Sequence, residues 1–489
     1  MTKRERIALI VILAAAALVR LWRLDLMEFK SDEAQACQLG LQIAAHEHFP
    51  LTGLLSSVGV PNPPLFVYLL ALPLGLSAEP VSAAVAIACA NLAAVWVCFL
   101  VGRRYFSSWI GVAAAALYAL SPWAIVFSRK IWAQDLLPIL AGLFLLEAHA
   151  FAIERRPRAL AGLIALAAAA TQLHFSAFIL GGVIAYLLII ERSLIRIRPL
   201  FAGLLIALLL YAPYFYYLMQ SHGSDFSNLG ARRAAWDAIV PAARRLPLAL
   251  RYPLSVSGAD ATDSLVGSQP AWAWPFALAA GLAGLGGLIA LCARDRGSER
   301  FHGRAMLVLW FVLPSAALIA TGVAPFIHYF IILYPLPFLG LAAAFDFLGR
   351  RWRGAGAAAL GLCLAAYAWL DLGLYRTVAA QGGAPADYGV AYGYKAEAAD
   401  FILQETRGHP RLVWYGFNPN NALPFEYRLL LAWRDSERGR PLPAEVPRSA
   451  EVIFDRFHSK LTPQGETATR SLPQRPLGPL TVYTLPLSR

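Results

Sequence analysis

The chain has 489 residues, 58% of them hydrophobic and 15% charged, and a mean hydropathy of +0.55. A soluble domain must hydrate its surface, so this composition excludes one and implies an integral membrane protein. A net charge of +12 would suit a nucleic-acid partner, but the basic residues sit in short loops between apolar runs, where they set membrane orientation; no nucleic acid is expected.

Apolar runs of about 20 residues, the length that crosses a hydrocarbon core, recur up to about residue 373. Eleven spans are predicted: 7–24, 81–101, 109–127, 132–152, 159–173, 175–190, 199–219, 271–292, 305–322, 328–347 and 355–373. The first has a basic front (Lys3, Arg4, Arg6), but no small-residue cleavage site precedes Asp32–Glu33, so it is expected to be a retained anchor. Between the first two spans, "SDEAQACQLGLQIAAHEH" carries a polar stripe of Gln35, Gln38, Gln42 and His46, the pattern of a helix lying on a membrane surface. Ser31 or Asp32 can cap it, which puts both carboxylates in the first turn. "VPNPPLFVYLLALP" starts a second helix after Pro63–Pro64 that is too short to span.

With a cytoplasmic N-terminus, arginine groups such as Arg103–Arg104, Arg155–Arg156 and Arg350–Arg351 fall on the inner side, as the positive-inside rule requires. Outer loops of about 25–80 and 220–270 and a tail from 375 then face outward. Within the second loop, "RRAAWDAIVPAARRLPLAL" is an amphipathic basic segment suited to cover a cavity. The tail alternates strand-like runs ("RLVWYGF", "EVIFDRF", "LTVYTL") with a helical stretch around "KAEAADFILQET". The expected division is therefore a membrane module over 1–374 and a soluble α/β domain over 375–489. Of five cysteines, all but Cys37 lie in apolar runs, so no disulfide framework can be read.

Several motifs agree in order with one known family. They are the Asp-Glu pair in "SDEAQACQLGLQIA", the Pro-Pro helix "NPPLFVYLLAL", and "YALSPWAIVFSRKIWAQDLLPIL", followed by "LHFSAFIL" and "HYFIILYPLPFLGLAAA". Over about residues 1–350 the chain resembles the membrane-embedded GT-C glycosyltransferases, in the branch of protein mannosyltransferases and bacterial aminoarabinose transferases. The resemblance implies an all-α polytopic membrane protein of the GT-C type, with interfacial helices in the first outer loop and a small C-terminal α/β extracytoplasmic domain. It further implies inverting sugar transfer from a polyprenyl-phosphate carrier to a lipid, glycan or protein acceptor at the periplasmic side of a bacterial inner membrane. The family's catalytic acid falls on Asp32, with Glu33 beside it, and its second acidic residue on Asp135. Asn62 stands where relatives usually have a lysine before Pro-Pro.

A sugar on a lipid phosphate already has a good leaving group, so the reaction needs a base for the acceptor hydroxyl and positive charge for the departing phosphate. Asp32 is the expected base. Glu33 points about 100° away around the helix and would orient the acceptor or complement the helix dipole. Arg129 and Lys130 run against the charge bias, which a phosphate partner explains; snorkelling is the alternative. Asp135 can bind a divalent cation, the acceptor or Arg129, or serve as a plain helix-start acid. His174, His328 and Tyr329 are candidates for the phosphate or sugar, with structural or aromatic-belt roles as alternatives. No zinc spacing is present, so any metal would be assembled from distant loops. A lipid-linked sugar flippase and a non-catalytic assembly subunit stay open, although flippase-type sites lie near the midplane and no internal repeat is visible.

Overall fold

The computed structural model describes residues 1–56, 59–227, 240–256, 258, 270–298, 300–384, 388–405, 411–412, 426, 429–431, 449–455 and 472–486. The predicted segment "RRAAWDAI" and most of "RLVWYGF" fall outside these residues. The chain opens with α1 (Lys3–Leu21), whose capping box pairs Thr2 Oγ1 with the Glu5 amide and Glu5 Oε2 with the Thr2 amide. Two short helices follow, α2 (Ser31–Ala44) and α3 (Leu65–Leu76), packed so closely that a Cβ on Gly40 would stand 2.7 Å from Leu74 Cδ1. Neither is long enough to cross a bilayer, as the sequence predicts.

The bundle itself contains α4 (Pro80–Tyr105), α5 (Ser108–Ala119), α6 (Pro122–Ser128), α7 (Leu137–Ala152), α8 (Ala159–Leu173), α9 (Ile179–Ile190) and α10 (Ile197–Gln220). After α11 (Ala242–Ser255) come α12 (Ala273–Arg294), α13 (Phe301–Thr321), α14 (Leu336–Arg351) and α15 (Ala355–Gln381). Among the described residues, six helices are long and apolar enough to cross a membrane, or up to eight if each of two bent pairs is one span. The eleven predicted spans all correspond to helical segments, but α1 holds Lys3, Arg4, Glu5, Arg6 and Arg20, while α8 and α9 are short.

Two predicted single spans are broken by proline. Between α5 and α6 the axis turns 62° at Leu120–Ser121, where Pro122 disfavours a helical conformation in the residue before it. The carbonyls freed there are taken by a buried arginine: Arg20 of α1 donates to Ala119 O at 2.7 Å and to Tyr118 O at 3.2 Å. Residues 327–351 likewise divide into a 3-10 segment (Ile327–Leu333) and α14, bent by 63°.

Small residues set the closest approach in the bundle. On α12 and α14, Gly284 and Gly287 face Gly340, and a Cβ on Gly287 would lie 2.1 Å from Gly340 O. After α15, which runs past residue 374 to Gln381, the chain makes an antiparallel pair β1–β2 (Gly383–Ala384 and Gly389–Val390) and then α16 (Tyr392–Glu405). The remaining strands, β3 (Arg411–Leu412), β4 (Ser449–Asp455), β5 (Gln474–Leu477) and β6 (Leu480–Pro486), form a sheet of order β3-β4-β6-β5, parallel only between β3 and β4. "EVIF" and "LTVYTL" thus pair as adjacent strands, β4 with β6.

The glycine crossing gives a direct test. Gly340→Leu is expected to cost at least about 1–3 kcal/mol through overpacking, seen as a lower thermal midpoint in detergent. Gly286→Ala, where a Cβ meets nothing within 4 Å, should leave the midpoint unlowered.

Candidate active site

The first turn of α2 separates the two carboxylates. Helix capping is done by Glu33, three residues into the helix, whose Oε2 accepts the Lys30 amide at 2.9 Å; Ser31, a predicted cap, instead accepts from Gln35 Nε2 at 3.0 Å. Glu33 therefore turns inward and is fully buried, while Asp32, one residue earlier, is exposed. The angular offset expected from helix geometry thus has opposite consequences for neighbouring acids.

Glu33 belongs to a buried charge cluster. Lys130 Nζ lies 2.6 Å from Glu28 Oε1 and 3.4 Å from Glu33 Oε1, and Lys30 Nζ lies 2.6 Å from Glu28 Oε1. The same Lys130 ammonium stands 3.2 Å over the Trp132 ring. Two acids and two lysines balance, which is the condition for keeping such groups out of water. Burial pushes the Glu33 carboxyl up from its ordinary range, and Lys130 opposes that shift.

Asp32 faces a cavity of about 200 Å³. Around it stand Asn62 and Pro63 from the turn before α3, Trp132 and Gln134 from the segment before α7, Gln172 and His174 from the end of α8, and His328. Among the described residues Asp32 has no hydrogen bond or ion pair, so its carboxylate is free to meet a ligand. His174 Nδ1 accepts the Ser176 amide at 3.2 Å, so the neutral ring carries its proton on Nε2. Burial pushes this imidazole down to about 4. Its ring centre is 6.1 Å from that of His328 and 5.2 Å from that of Tyr329, and His328 packs on Trp132 at 5.1 Å.

The turn bearing Asn62 is held by backbone contacts. Asn62 N and Nδ2 both donate to Leu54 O, at 2.8 and 3.1 Å, and Asn62 Oδ1 is buried without a hydrogen-bond partner among the described residues. Tyr214 of α10 donates to Pro61 O at 2.8 Å and steadies the same turn.

Five expected site residues do not line this cavity: Glu33, buried in the charge cluster, Tyr329, buried against His174 and His328, and Arg129, Lys130 and Asp135. Arg129 donates to Val19 O at 3.0 Å and Arg23 O at 2.7 Å, satisfying carbonyls around the C-terminal end of α1. It lines a different, apolar cavity of about 460 Å³ with Leu18, Trp22, Ile125, Asp371 and Tyr388. Lys130 is committed to Glu28 and Glu33. Asp135, 1% exposed, accepts the Trp132 amide through Oδ2 at 3.2 Å and does not line the Asp32 cavity. Among the described residues no three His, Cys, Asp or Glu side chains converge as metal ligands. Glu28, Gln134 and Gln172 escaped sequence reasoning; Gln172 had a signal, a polar residue ending an apolar run two places before His174, whereas Glu28 had none.

A hollow of mixed polar and apolar lining, faced by a carboxylate with no partner among the described residues, thus lies beside an apolar helical bundle. Residues 61–217 match the model of the family described as dolichyl-phosphate-mannose-protein mannosyltransferase. Among solved structures the fold is similar to that of ArnT from Cupriavidus metallidurans. In the apo state ArnT is 15% identical with a TM-score of 0.56, and bound to undecaprenyl phosphate it is 17% identical with a TM-score of 0.54; each match covers 97% of both chains. No curated protein matches in a sequence search. The chain thus has a multi-span helical fold similar to that of ArnT, and residues 61–217 resemble the dolichyl-phosphate-mannose-protein mannosyltransferases.

Removing the cation from the charge cluster should be severe. Lys130→Met leaves Glu28 and Glu33 buried together and is expected to lower stability by about 3–5 kcal/mol near neutral pH. Without Lys130 the upward shift of the Glu33 carboxyl loses its main opposing charge and grows, so the deficit should be smallest below the unfolded carboxyl range and grow as pH rises. Thermal midpoints of both forms across pH 4–8 check this.

Proposed function

We propose that this chain moves a sugar from a polyprenyl phosphate to an acceptor, with inversion, and that Asp32 is the base. The observation that carries the reading is the exposure of Asp32, unpartnered, in the same cavity as His174, His328 and Asn62. A carboxylate open to that hollow can take the proton of an acceptor hydroxyl as the hydroxyl attacks the anomeric carbon from the face opposite the phosphate. The phosphate leaves with the bonding pair, so no second acid is required.

Among the described lining residues there is no lysine or arginine, and Asn62 stands where relatives usually have a lysine. The Nε2–H of His174 then offers a hydrogen-bond donor to the phosphate charge. Undecaprenyl phosphate bound to ArnT supports a carrier of this class. The arginine distribution supports a cytoplasmic N-terminus, with the Asp32 cavity and the C-terminal domain facing the periplasm of a bacterial inner membrane. The cluster of Glu28, Lys30, Glu33 and Lys130 is the frame that orients Asp32, and Glu33 takes no proton in the reaction.

Deleting the gene should cause a polyprenyl-linked sugar to accumulate, identifiable by mass spectrometry of the lipid extract. The wild-type gene should clear it. Asp32→Asn should restore normal protein levels yet leave the lipid uncleared, a loss of at least about 10²-fold in transfer; clearance by that variant would remove Asp32 from the reaction.

A further inference from the structure

The segment that leads into α2, besides its contacts with Arg129 and Lys130, is held by the part of the chain that follows α15. Tyr392 N donates to Met27 O at 3.0 Å, Glu28 forms an antiparallel bridge with Ala391, and Tyr388 Oη donates to Leu26 O. The Phe29 and Tyr392 rings meet edge to face at 5.2 Å. At the end of this series, Lys395 Nζ donates to Phe29 O at 2.6 Å, across 366 positions of sequence. Lys395 is 3% exposed, and Glu426, 2.9 Å away, supplies its countercharge.

A buried ammonium is costly unless it is neutralised and its protons are used. Glu426 does the first, and the Phe29 carbonyl receives one of the protons. That carbonyl lies two residues before Ser31, the first residue of α2, and three before Asp32. The contact therefore fixes the backbone from which the first helical turn departs. Within the turn, the bond from the Lys30 amide to Glu33 passes the constraint onward, because Glu33 is itself pinned by Lys130.

We propose that Lys395 is a positioning residue for Asp32: through the Phe29 carbonyl, the C-terminal domain sets where the base stands in its cavity. The inference rests on Asp32 being the base. Lys395 acts on Asp32 through the Phe29 carbonyl, so its loss should affect the chemical step more than donor capture. Displacing a reacting group by about 1 Å costs on the order of 10²-fold.

The test uses the full-length chain in membranes of the deletion strain, which also supply the acceptor. The donor is the polyprenyl-linked sugar extracted from that strain. Lys395→Met should lower kcat per folded enzyme about 30-fold while the donor KM stays within about twofold. Lys395→Arg, which keeps a donor at this carbonyl, should recover kcat to within about threefold. Tyr388→Phe, a one-hydroxyl change at Leu26 O that spares the fold, should lower kcat about threefold at unchanged KM. A wild-type kcat in Lys395→Met, or a fall matched by a rise in donor KM, overturns the proposal. Should Lys395→Met fail to fold, an unaltered kcat in Tyr388→Phe overturns it. Activity in Asp32→Asn would instead overturn the assignment of the base. An inactive Asp32→Asn beside a fully active Lys395→Met would sink the positioning role alone.

Discussion

The position of α2 depends on Lys130 meeting Glu28 and Glu33 in a place that water hardly reaches. These three groups come from two stretches about a hundred residues apart, and none is tolerable there without the others. Because Glu33 also closes the capping bond to the Lys30 amide, the rotation of the helix about its own axis is settled. Asp32 then stands at the cavity. A surface carboxylate would ordinarily sample many rotamers and hydration states; here the backbone beneath it is held from both ends.

The site is consequently a layered construction. A rigid ionic frame stands behind, a hollow lined by histidine, glutamine and asparagine in front, and the C-terminal segment clamps the approach. The frame contributes specificity of geometry more than net stability, since buried ion pairs often do no better than hydrophobic replacements of equal volume. Nor does it deliver charge to the cavity. Lysine and arginine residues that sequence reasoning assigned to a phosphate are engaged with the protein itself, Lys130 with acids and Arg129 with the carbonyls at the end of α1.

Much of this was legible from sequence, for identifiable reasons. Hydropathy marks each helix of the bundle because lipid and core demand the same residues. The pair Asp32–Glu33 and the histidines His174 and His328 stood out because polar groups at the ends of apolar runs are costly without a purpose. The "SPW" and "YPLP" breaks were visible as prolines, yet each was counted inside one span, since hydropathy does not register bending. What could not be read was partnership. Arg129 and Lys130 are adjacent in sequence, but the helix end between them and their surroundings sends one to α1 and the other to Glu28. No periodicity encodes which long-range neighbour waits at either position.

The bend between α5 and α6 has a consequence of its own. Arg20 is wholly enclosed, and the Tyr118 and Ala119 carbonyls that it binds exist as acceptors only because the helix stops there. In a continuous rod the Ala119 oxygen would return to the Trp123 amide, whereas Pro122 has no N–H to offer Tyr118, so the enclosed guanidinium would lose one of its two acceptors across the break. The kink and the arginine thus support each other.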